Sequence, residues 1–464
     1  MIQTIRKAWG LPELRKKIVF TLVMLLIFRL GNAITVPYIN KTALALQFAT
    51  MSNGYFGLLN AISGGAFSMA TVFALSIQPY LNSSIIIQLL SVAIPALERL
   101  ARDGGEEGKK KIQAITRYAT VAIALLQAIG YYSMMKQYGL LSAEGIWPAL
   151  VIIVTLIAGS AFVMWMGEQI TEFGIGNGIS MILFAGIISR VPNAATKLFN
   201  GISLQSNINK GVVSYDSMVE SYTAAGYTAE QAAEYAKASL SGAIPFWGVI
   251  LLLVGIVALI VFIVFVSDAE RRIPVQYAKR QVGRKMYGGQ SSNLPMKVNM
   301  SGVLPVIFAQ SIATLPITVW SFVGIPAEGT VSRSIYNAID TQSFIYMVVY
   351  FVMIIGFSYF YSSIQFNPVE IANNLKKQGG FIPGFRPGKP TTDFIKKVLN
   401  KVTLFGAMYL GVVAILPLIV GKIIGNGSLS IGGTSTIIVV GVALETVKAL
   451  ENQMLMRQYK GFLE

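Results

Sequence analysis

The sequence contains neither cysteine nor histidine, and only 12% of its 464 residues are charged. The two missing residue types exclude disulfides, thiol nucleophiles, zinc sites built on Cys or His, and an imidazole base. A soluble domain usually carries about twice this charged fraction. Apolar residues make up 54% of the chain, which is a composition suited to a lipid bilayer.

Ten apolar stretches are each long enough to cross a bilayer as a helix, which takes about 20 residues. Membrane β-strands would be about half as long, so the predicted fold is an all-α polytopic membrane protein with ten transmembrane helices. The first stretch lacks a small-residue cleavage pattern, and we interpret it as a membrane helix rather than a cleaved signal. The predicted spans are 18–37, 74–94, 116–135, 149–168, 179–198, 246–267, 303–323, 343–363, 402–421 and 431–449.

The distribution of Lys and Arg predicts the orientation of these spans. Of the 37 basic residues, 28 lie in segments that we predict to be cytoplasmic and 8 lie in external segments, while Arg29 falls within the first span. Because cytoplasmic loops carry the excess of Lys and Arg, both termini are predicted to face the cytoplasm. Much of the net charge of +16 therefore reflects topology rather than affinity for nucleic acid.

The ten spans divide into two pseudo-symmetric halves, 1–199 and 245–464. Five spans per half would make the halves inverted relative to each other, as in many transport proteins. The external segment 200–244 between them is long and polar, and 216–240 has helix-compatible spacing. This segment is either a hinge with a role of its own or a tolerated insertion.

The stretch 55–69, before the second span, is apolar but too short to cross a bilayer, and the pair Gly64-Gly65 interrupts it. Loose backbone is tolerated at membrane depth only within protein or a water-filled cavity. The stretch is therefore either a re-entrant half-helix or an interfacial amphipathic helix. Within the second span, Pro79 is expected to kink the helix.

Two cytoplasmic loops, 268–300 and 366–401, are more basic than topology requires. They either dock an anionic partner, such as ribosomal RNA or an acidic protein surface, or only reflect the charge bias of cytoplasmic loops. No phosphate-binding loop with the required spacing is present, so directional work must come from a partner. Acidic residues lie only near the ends of spans, at Glu168, Asp268 and Glu445, which argues against ion-coupled transport.

Short motifs along almost the whole chain resemble those of the SecY family, and the bacterial form fits better than the archaeal or eukaryotic one. Their order matches the family, which makes the set far more specific than any one motif. They are SGGA (63–66), PY (79–80) with SIIIQLL (84–90), GEQITE (167–172) with GIGNGIS (174–180), YAKR (277–280), KVNM (297–300), FNP (366–368) with NLKK (374–377), RPG (386–388) and GGTS (432–435).

The resemblance implies a passive protein-conducting channel in the bacterial plasma membrane, with two halves that open sideways to lipid. Such a channel is not an enzyme and needs no cofactor. The implied partners are the SecE and SecG subunits, the SecA ATPase motor, the ribosome, signal peptides, nascent or unfolded polypeptides, and the lipid bilayer. The external segment between spans five and six is longer than the family usually has, which leaves the hinge geometry open.

The resemblance also assigns candidate site residues. The implied pore ring consists of Ile77, Leu81, Ile179, Leu183, Ile307 and Ile438. The implied plug, at about 55–69, includes Leu58, Leu59, Ile62, Gly64, Gly65 and Phe67. The lateral gate is expected to have spans two and three on one side and spans seven and eight on the other. Gln88 and Asn299 would lie in its polar seam. The implied docking residues are Arg271, Arg272, Lys279, Arg280, Arg284, Lys285 and Arg386.

Three other classes of function remain as alternatives at this point. A secondary transporter of small solutes fits the five-plus-five topology but lacks acidic residues at mid-membrane. A membrane scaffold or an insertase without a pore fits the composition equally well. An intramembrane enzyme is the weakest alternative, because no pair of nucleophile and base stands out.

Overall fold

A computed structural model of the chain consists mostly of helices, and the two loops predicted to be cytoplasmic form a three-stranded sheet and a two-stranded hairpin. The structure describes residues 2–40, 43–44, 55–102, 104–224, 229, 232–233, 236, 240, 243, 245–277, 280–282, 285–287, 291–300, 302–323, 329–341, 343–424 and 432–460. The fold class expected from the sequence is confirmed, although the strands were not predicted.

The first half of the chain contributes ten helices to the described part of the structure. They are α1 (Ile2–Trp9), α2 (Pro12–Gly31), α3 (Tyr55–Ile62), α4 (Gln78–Ala93), α5 (Pro95–Arg102), α6 (Gly105–Gln137), α7 (Ile146–Phe173), α8 (Gly178–Ile188), α9 (Val191–Asn209) and α10 (Tyr215–Ala224). In the predicted helical stretch 216–240 the structure describes α10 and, beyond it, only the isolated positions 229, 232–233, 236 and 240.

The second half contributes seven further helices and all the strands that the structure describes. The helices are α11 (Phe246–Asp268), α12 (Leu304–Val323), α13 (Val331–Ile339), α14 (Phe344–Gln365), α15 (Pro368–Lys377), α16 (Lys389–Ile424) and α17 (Gly432–Lys460). The strands are β1 (Glu270–Tyr277), β2 (Arg280–Val282), β3 (Lys285–Tyr287), β4 (Ser291–Lys297) and β5 (Gly380–Phe381).

Each of the ten predicted spans contains a helix. Within the described residues, six helical stretches are long and apolar enough to cross a membrane, judged by length and composition. The remaining four predicted spans contain α2, α4, α12 and α17, which are shorter or less apolar, so the count of ten membrane crossings stays a prediction. The six are Gly105–Gln137, Ile146–Phe173, Gly178–Asn209, Phe246–Asp268, Phe344–Lys377 and Lys389–Val420.

Polar side chains fix where several helices begin. The Asn177 side chain accepts hydrogen bonds from the backbone N–H groups of Ile179 and Ser180 at the start of α8. Asn367 caps α15 in the same way, and Ser343 caps α14. These are typical N-cap residues, because their oxygens satisfy N–H groups that have no partner within the helix.

The expectation that Pro79 kinks the second span is wrong. Residues 71–77 form a bridge residue and turns, and α4 begins only at Gln78, with Pro79 in its first turn. Proline is tolerated there because the N–H that it lacks would have no intrahelical partner. The irregular segment is held by Val72, whose N–H donates to Ile34 O at 2.9 Å, and by Ala70, whose carbonyl accepts from Val36 N at 2.9 Å.

The helices pack in a closed circuit. Along the chain α4 packs on α6, α6 on α7 and α7 on α8; α8 meets α17, and α17 packs on α16, α16 on α14 and α14 on α12. The circuit closes because α12 packs against both α4 and α6. The two halves therefore meet along two seams, one between α8 and α17 and the other between α12 and the pair α4 and α6.

Candidate functional site

The six residues proposed as a pore ring lie on, or immediately before, four of the five helices that line the two seams. Ile77 and Leu81 lie at the start of α4, Ile179 and Leu183 on α8, Ile307 on α12, and Ile438 on α17. Five of them belong to one buried hydrophobic cluster, and Ile179 packs against it. The structure thus brings together side chains that are up to 361 positions apart in the sequence.

Glycines allow the helices to approach each other at this cluster. A Cβ on Gly167 of α7 would lie 3.3 Å from Ile77 Cδ1, so the absence of a side chain there leaves room for Ile77. Gly441 of α17 faces Val303, which lies immediately before α12, and a Cβ at this glycine would overlap the Val303 side chain. Gly167 thus brings α7 close to Ile77, and Gly441 brings α17 close to the start of α12.

The proposed plug consists of α3 and the turns that follow it. Gly64 and Gly65 have φ angles of +68° and +93°, a region in which glycine is not strained. Two hydrogen bonds tie the turns back to α3 and its end: Ser68 N donates to Asn60 Oδ1 at 3.1 Å, and Phe67 N donates to Ser63 Oγ at 3.1 Å. The plug is therefore an ordered unit rather than a loose loop.

Three helices hold the plug. The Tyr131 hydroxyl on α6 donates to Phe67 O at 2.9 Å, and the two rings meet edge to face with centroids 5.0 Å apart. Arg29 on α2 donates to Gly64 O at 3.5 Å. On α8, Gly186 touches the plug so closely that a Cβ there would lie 2.7 Å from Ile62 O.

The remaining plug residues are placed as follows. Leu59 and Ile62 are half-buried, and Phe67 is buried at 3% exposure. Ile62 packs against the hydrophobic cluster that contains the ring, whereas Leu59 and Phe67 belong to a second cluster with Tyr131. Leu58 lies within α3, but its side chain is outside the described part of the structure.

The two proposed gate residues have different surroundings. Gln88 is half-buried on α4, and its Nε2 donates to Ser84 Oγ, one turn earlier, at 3.4 Å. Asn299 precedes α12 and lines a cavity of about 200 Å³ together with Ser358 on α14 and Thr403 on α16. The described surroundings of Asn299 therefore belong to the C-terminal half, while the seam itself is formed by α12 against α4 and α6.

The two basic loops fold into one unit, which we call the docking domain (β1–β5, α15 and the start of α16). In its three-stranded sheet β1 lies between β4 and β5, and both neighbours are antiparallel to it. Ile273 and Val275 of β1 point into a separate hydrophobic core with Leu375 and Ile395. Since β5 follows α15, residues from both loops share this core.

Basic residues lie on the surface of the docking domain. Arg271 and Arg272 on β1 are exposed, and Arg272 pairs with Glu270 at 2.7 Å. Arg280 and Lys285 lie in the short hairpin β2–β3, and the structure describes their backbone only; Lys279 and Arg284 lie outside the described residues.

Arg386 is exposed in a turn that neighbouring residues fix. Its carbonyl accepts a hydrogen bond from Thr391 Oγ1 at 2.8 Å. The ring of Phe385 packs against that of Phe394 with centroids 4.2 Å apart. Gly388, two residues later, has a φ of +108°. The guanidinium is thus presented to solvent from a defined backbone.

Sequence reasoning missed Tyr131 and Gly186. Tyrosine in an apolar helix is common at membrane interfaces, so Tyr131 gave no distinct signal. Gly186 gave a weak one, because a glycine inside a helix lowers its stability and often marks close packing. Two of the three acids near span ends form ion pairs: Glu168 with Arg117 at 2.8 Å, and Asp268 with Lys448 at 2.6 Å.

Sequence comparison relates the chain to protein translocases. The SecY family model matches residues 71–447. The protein translocase subunit SecY of Streptomyces scabiei is 41% identical over 478 residues, and that of Bacillus subtilis (strain 168) is 40% identical over 469 residues. In both comparisons 100% of each chain is covered.

Structural comparison gives the same fold at low sequence identity. A protein-conducting channel aligns with a TM-score of 0.60 and 17% identity, covering 95% of this chain and 92% of the other. A SecY structure described as showing that the plug domain stabilises the closed state and maintains a membrane seal has a TM-score of 0.59, with 17% identity and the same coverage. Sec61 in the canine ribosome–channel complex has a TM-score of 0.57, with 16% identity and again the same coverage.

Proposed function

The chain belongs to the SecY family of protein translocase subunits, and on that premise we propose that it is a passive channel for unfolded polypeptides. It carries secretory chains across the plasma membrane and releases membrane-protein helices sideways into lipid. The observation that carries this proposal is that six aliphatic side chains from helices of both halves belong to, or pack against, one buried hydrophobic cluster. The family is one of channels rather than enzymes, so the driving force comes from a partner.

An aliphatic ring suits a substrate of arbitrary sequence. A narrow hydrophobic constriction excludes ions because water leaves it, yet it makes no specific hydrogen bond with a passing chain. The ring residues lie on helices of both halves, so separation of the halves widens the constriction. We assign this role to Ile77, Leu81, Ile179, Leu183, Ile307 and Ile438.

The plug closes the channel from the external side in the resting state. Its seat on Gly186 and its bonds to Tyr131 and Arg29 support this assignment, because each contact joins the plug to a different helix around the ring. Movement of the plug must break these contacts. Ile62, Leu59 and Phe67 must also leave the hydrophobic clusters against which they pack.

The lateral gate is the seam of α12 with α4 and α6, and Gln88 lies on its α4 side. A signal sequence with about ten apolar residues gains roughly 3–6 kcal/mol on entering hydrocarbon, at about 0.3–0.6 kcal/mol each. Two conformations of a protein commonly differ by only a few kcal/mol. Binding of a signal sequence is therefore sufficient to shift the gate towards its open state.

The docking domain receives the SecA motor and the ribosome. Its exposed Arg271, Arg272 and Arg386 present charge suited to acidic protein surfaces and to RNA phosphates. Because both loops share one hydrophobic core, force applied to either loop reaches the ends of α11, α12, α14 and α16 together. The SecE and SecG subunits complete the complex within the membrane.

The orientation follows from charge. The chain is a multi-pass membrane protein with both termini in the cytoplasm, where the basic docking domain also lies. Residues 1–199 and 245–464 are the two halves of the channel, and 200–244 is the external connection at the hinge.

Import into vesicles tests the function. The purified subunit, reconstituted with its small partner subunits, should carry a signal-bearing precursor into the lumen when SecA and ATP are supplied. Protease protection measures import, and a precursor without its signal sequence is the control. If SecA binds these vesicles and hydrolyses ATP but no precursor becomes protected, the proposed function is wrong.

A further inference from the structure

A small cavity, with room for about one water molecule, lies between the plug and the start of α4. Its apolar walls include Leu59 and Phe67 of the plug. Four polar side chains also line it: Ser63 in the plug, Ser76 and Gln78 at the start of α4, and Gln127 on α6. Ile77, which lies between Ser76 and Gln78 in the sequence, is fully buried and is one of the six proposed ring residues. The polar side chains of the cavity therefore lie next to the proposed ring.

Two of the polar groups lack a partner within the protein. Ser76 is buried at 2% exposure, and its Oγ makes no hydrogen bond. The Oε1 atom of Gln78 is also buried without a partner. A buried polar group without a hydrogen bond destabilises a protein substantially, and such groups are usually satisfied by protein atoms or by ordered water.

We propose that this cavity is a binding site for ordered water, which bridges Ser76 Oγ and Gln78 Oε1. A buried water typically makes two to four hydrogen bonds. The cavity has room for about one water molecule and offers it these polar partners. A dry cavity would have apolar walls, as engineered cavities that bind apolar molecules do.

The position of this water site has a consequence for sealing. Water lies against one face of the plug, so this face leaves its seat without separating two dry apolar surfaces. Phe67 must still leave its apolar contact with Tyr131. The site stands on the geometry of the closed molecule, so its failure would leave the proposed channel function untouched.

Radiolytic footprinting detects such water directly. Hydroxyl radicals formed from bound water oxidise the buried side chains beside it. Phe67, in the cavity wall, is 3% exposed, and Phe28, in the core, is 0% exposed, which makes them a matched pair. In the full complex we expect Phe67 to be labelled several-fold faster than Phe28. Equal labelling of the two rings would overturn the water site.

A double variant gives a second test, in which the resting ion leak should rise if the cavity holds water but not if the cavity is dry. Ser76→Ala with Gln78→Met removes the two unpaired groups and leaves the volume nearly unchanged. If water is bound, it loses its partners, the closed plug becomes less stable, and the resting ion leak rises roughly tenfold, the effect of about one buried hydrogen bond. If the cavity is dry, removal of the unpaired groups stabilises the closed state, and the leak falls or stays the same.

Ser160→Ala is the control for this test. Ser160 is also buried, at 1% exposure, and its Oγ likewise has no hydrogen bond, but it lies on α7 and is not part of the cavity wall. We expect its resting leak to equal that of the unchanged protein. An equal rise of the leak in both variants would also contradict the water site.

Discussion

The pore ring and the docking domain are both built on buried aliphatic side chains, yet they present opposite surfaces. The six proposed ring residues include no charged or polar group, and they belong to, or pack against, one buried cluster with members from both halves. In the docking domain, Ile273 and Val275 pack inwards while Arg271 and Arg272 of the same strand face solvent. An apolar ring tolerates any polypeptide, whereas exposed arginines select a partner.

The comparison implies that sealing and driving are separable. Changes in the ring or the plug seat should alter the leak of ions through the resting channel. Changes on the docking domain should alter motor-driven import and leave the leak unchanged.

The largest effect is expected from polar residues in the ring. Ile77→Asn with Ile307→Asn places two amides in the constriction, so water and ions enter it. We expect at least a roughly tenfold rise in resting conductance across planar bilayers. The control is Ile77→Val with Ile307→Val, which keeps the ring aliphatic and should remain closed. Background conductance in the Asn variant would remove both residues from the ring.

The next largest effect is expected in the docking domain, at Arg386. Arg386→Ala removes a cation capable of charge-assisted hydrogen bonds, which contribute about 1.5–3 kcal/mol each, and SecA-driven import should fall roughly tenfold. Lys389→Ala, three positions further on, should reduce import much less. The resting conductance should stay unchanged in both, and a leaky Arg386 variant would break the separation.

A smaller effect is expected at the plug seat. Gly186→Ala places a Cβ 2.7 Å from Ile62 O, so the plug must shift and the leak should rise several-fold. Gly255→Ala on α11 is the matched control, because nothing lies within 4 Å of a Cβ there. Both changes raise helix propensity by about 1 kcal/mol, so a leak in both variants would point to helix stability rather than the seat.

The smallest effect is expected from Tyr131→Phe. This variant removes the hydrogen bond to Phe67 O but keeps the edge-to-face ring contact. The closed state should lose about 1 kcal/mol, measured as a modest rise in the frequency of spontaneous channel openings. Tyr132→Phe, on the neighbouring half-buried residue, serves as control. Equal opening frequencies in the two variants would mean that the hydrogen bond from Tyr131 to Phe67 O does not hold the plug.

The helices were predictable because an apolar run of membrane length leaves few alternatives, and the ordered family motifs identified the ring candidates. The sheet was not predictable. Gln276 of β1 pairs with Phe381 of β5, and no local pattern reveals pairing across a hundred residues. The start of α4 was predicted wrongly because hydrogen bonds from Val72 N to Ile34 O and from Val36 N to Ala70 O hold the preceding segment in an irregular form.

The plug seat shows the same limit at the level of the site. Gly64-Gly65 marked the plug in the sequence, but its counterpart Gly186 sits in an unremarkable apolar helix. Only packing in three dimensions brings Gly186 against Ile62. Likewise, Ser76 and Gln78 are ordinary polar residues in the sequence, and their lack of partners is visible only once their neighbours are placed.

The most direct test of the account is to ask what a translocating chain touches. Because the protein has no cysteine, Ile307→Cys introduces a single thiol in the ring, and Leu251→Cys introduces one on α11, where Leu251 is 76% exposed. A precursor with one cysteine is stalled during import, and disulfide formation with each variant is measured. The account predicts a strong crosslink at position 307 and none at 251. A crosslink at 251 alone, or at neither position with import still running, would contradict a polypeptide path through the ring.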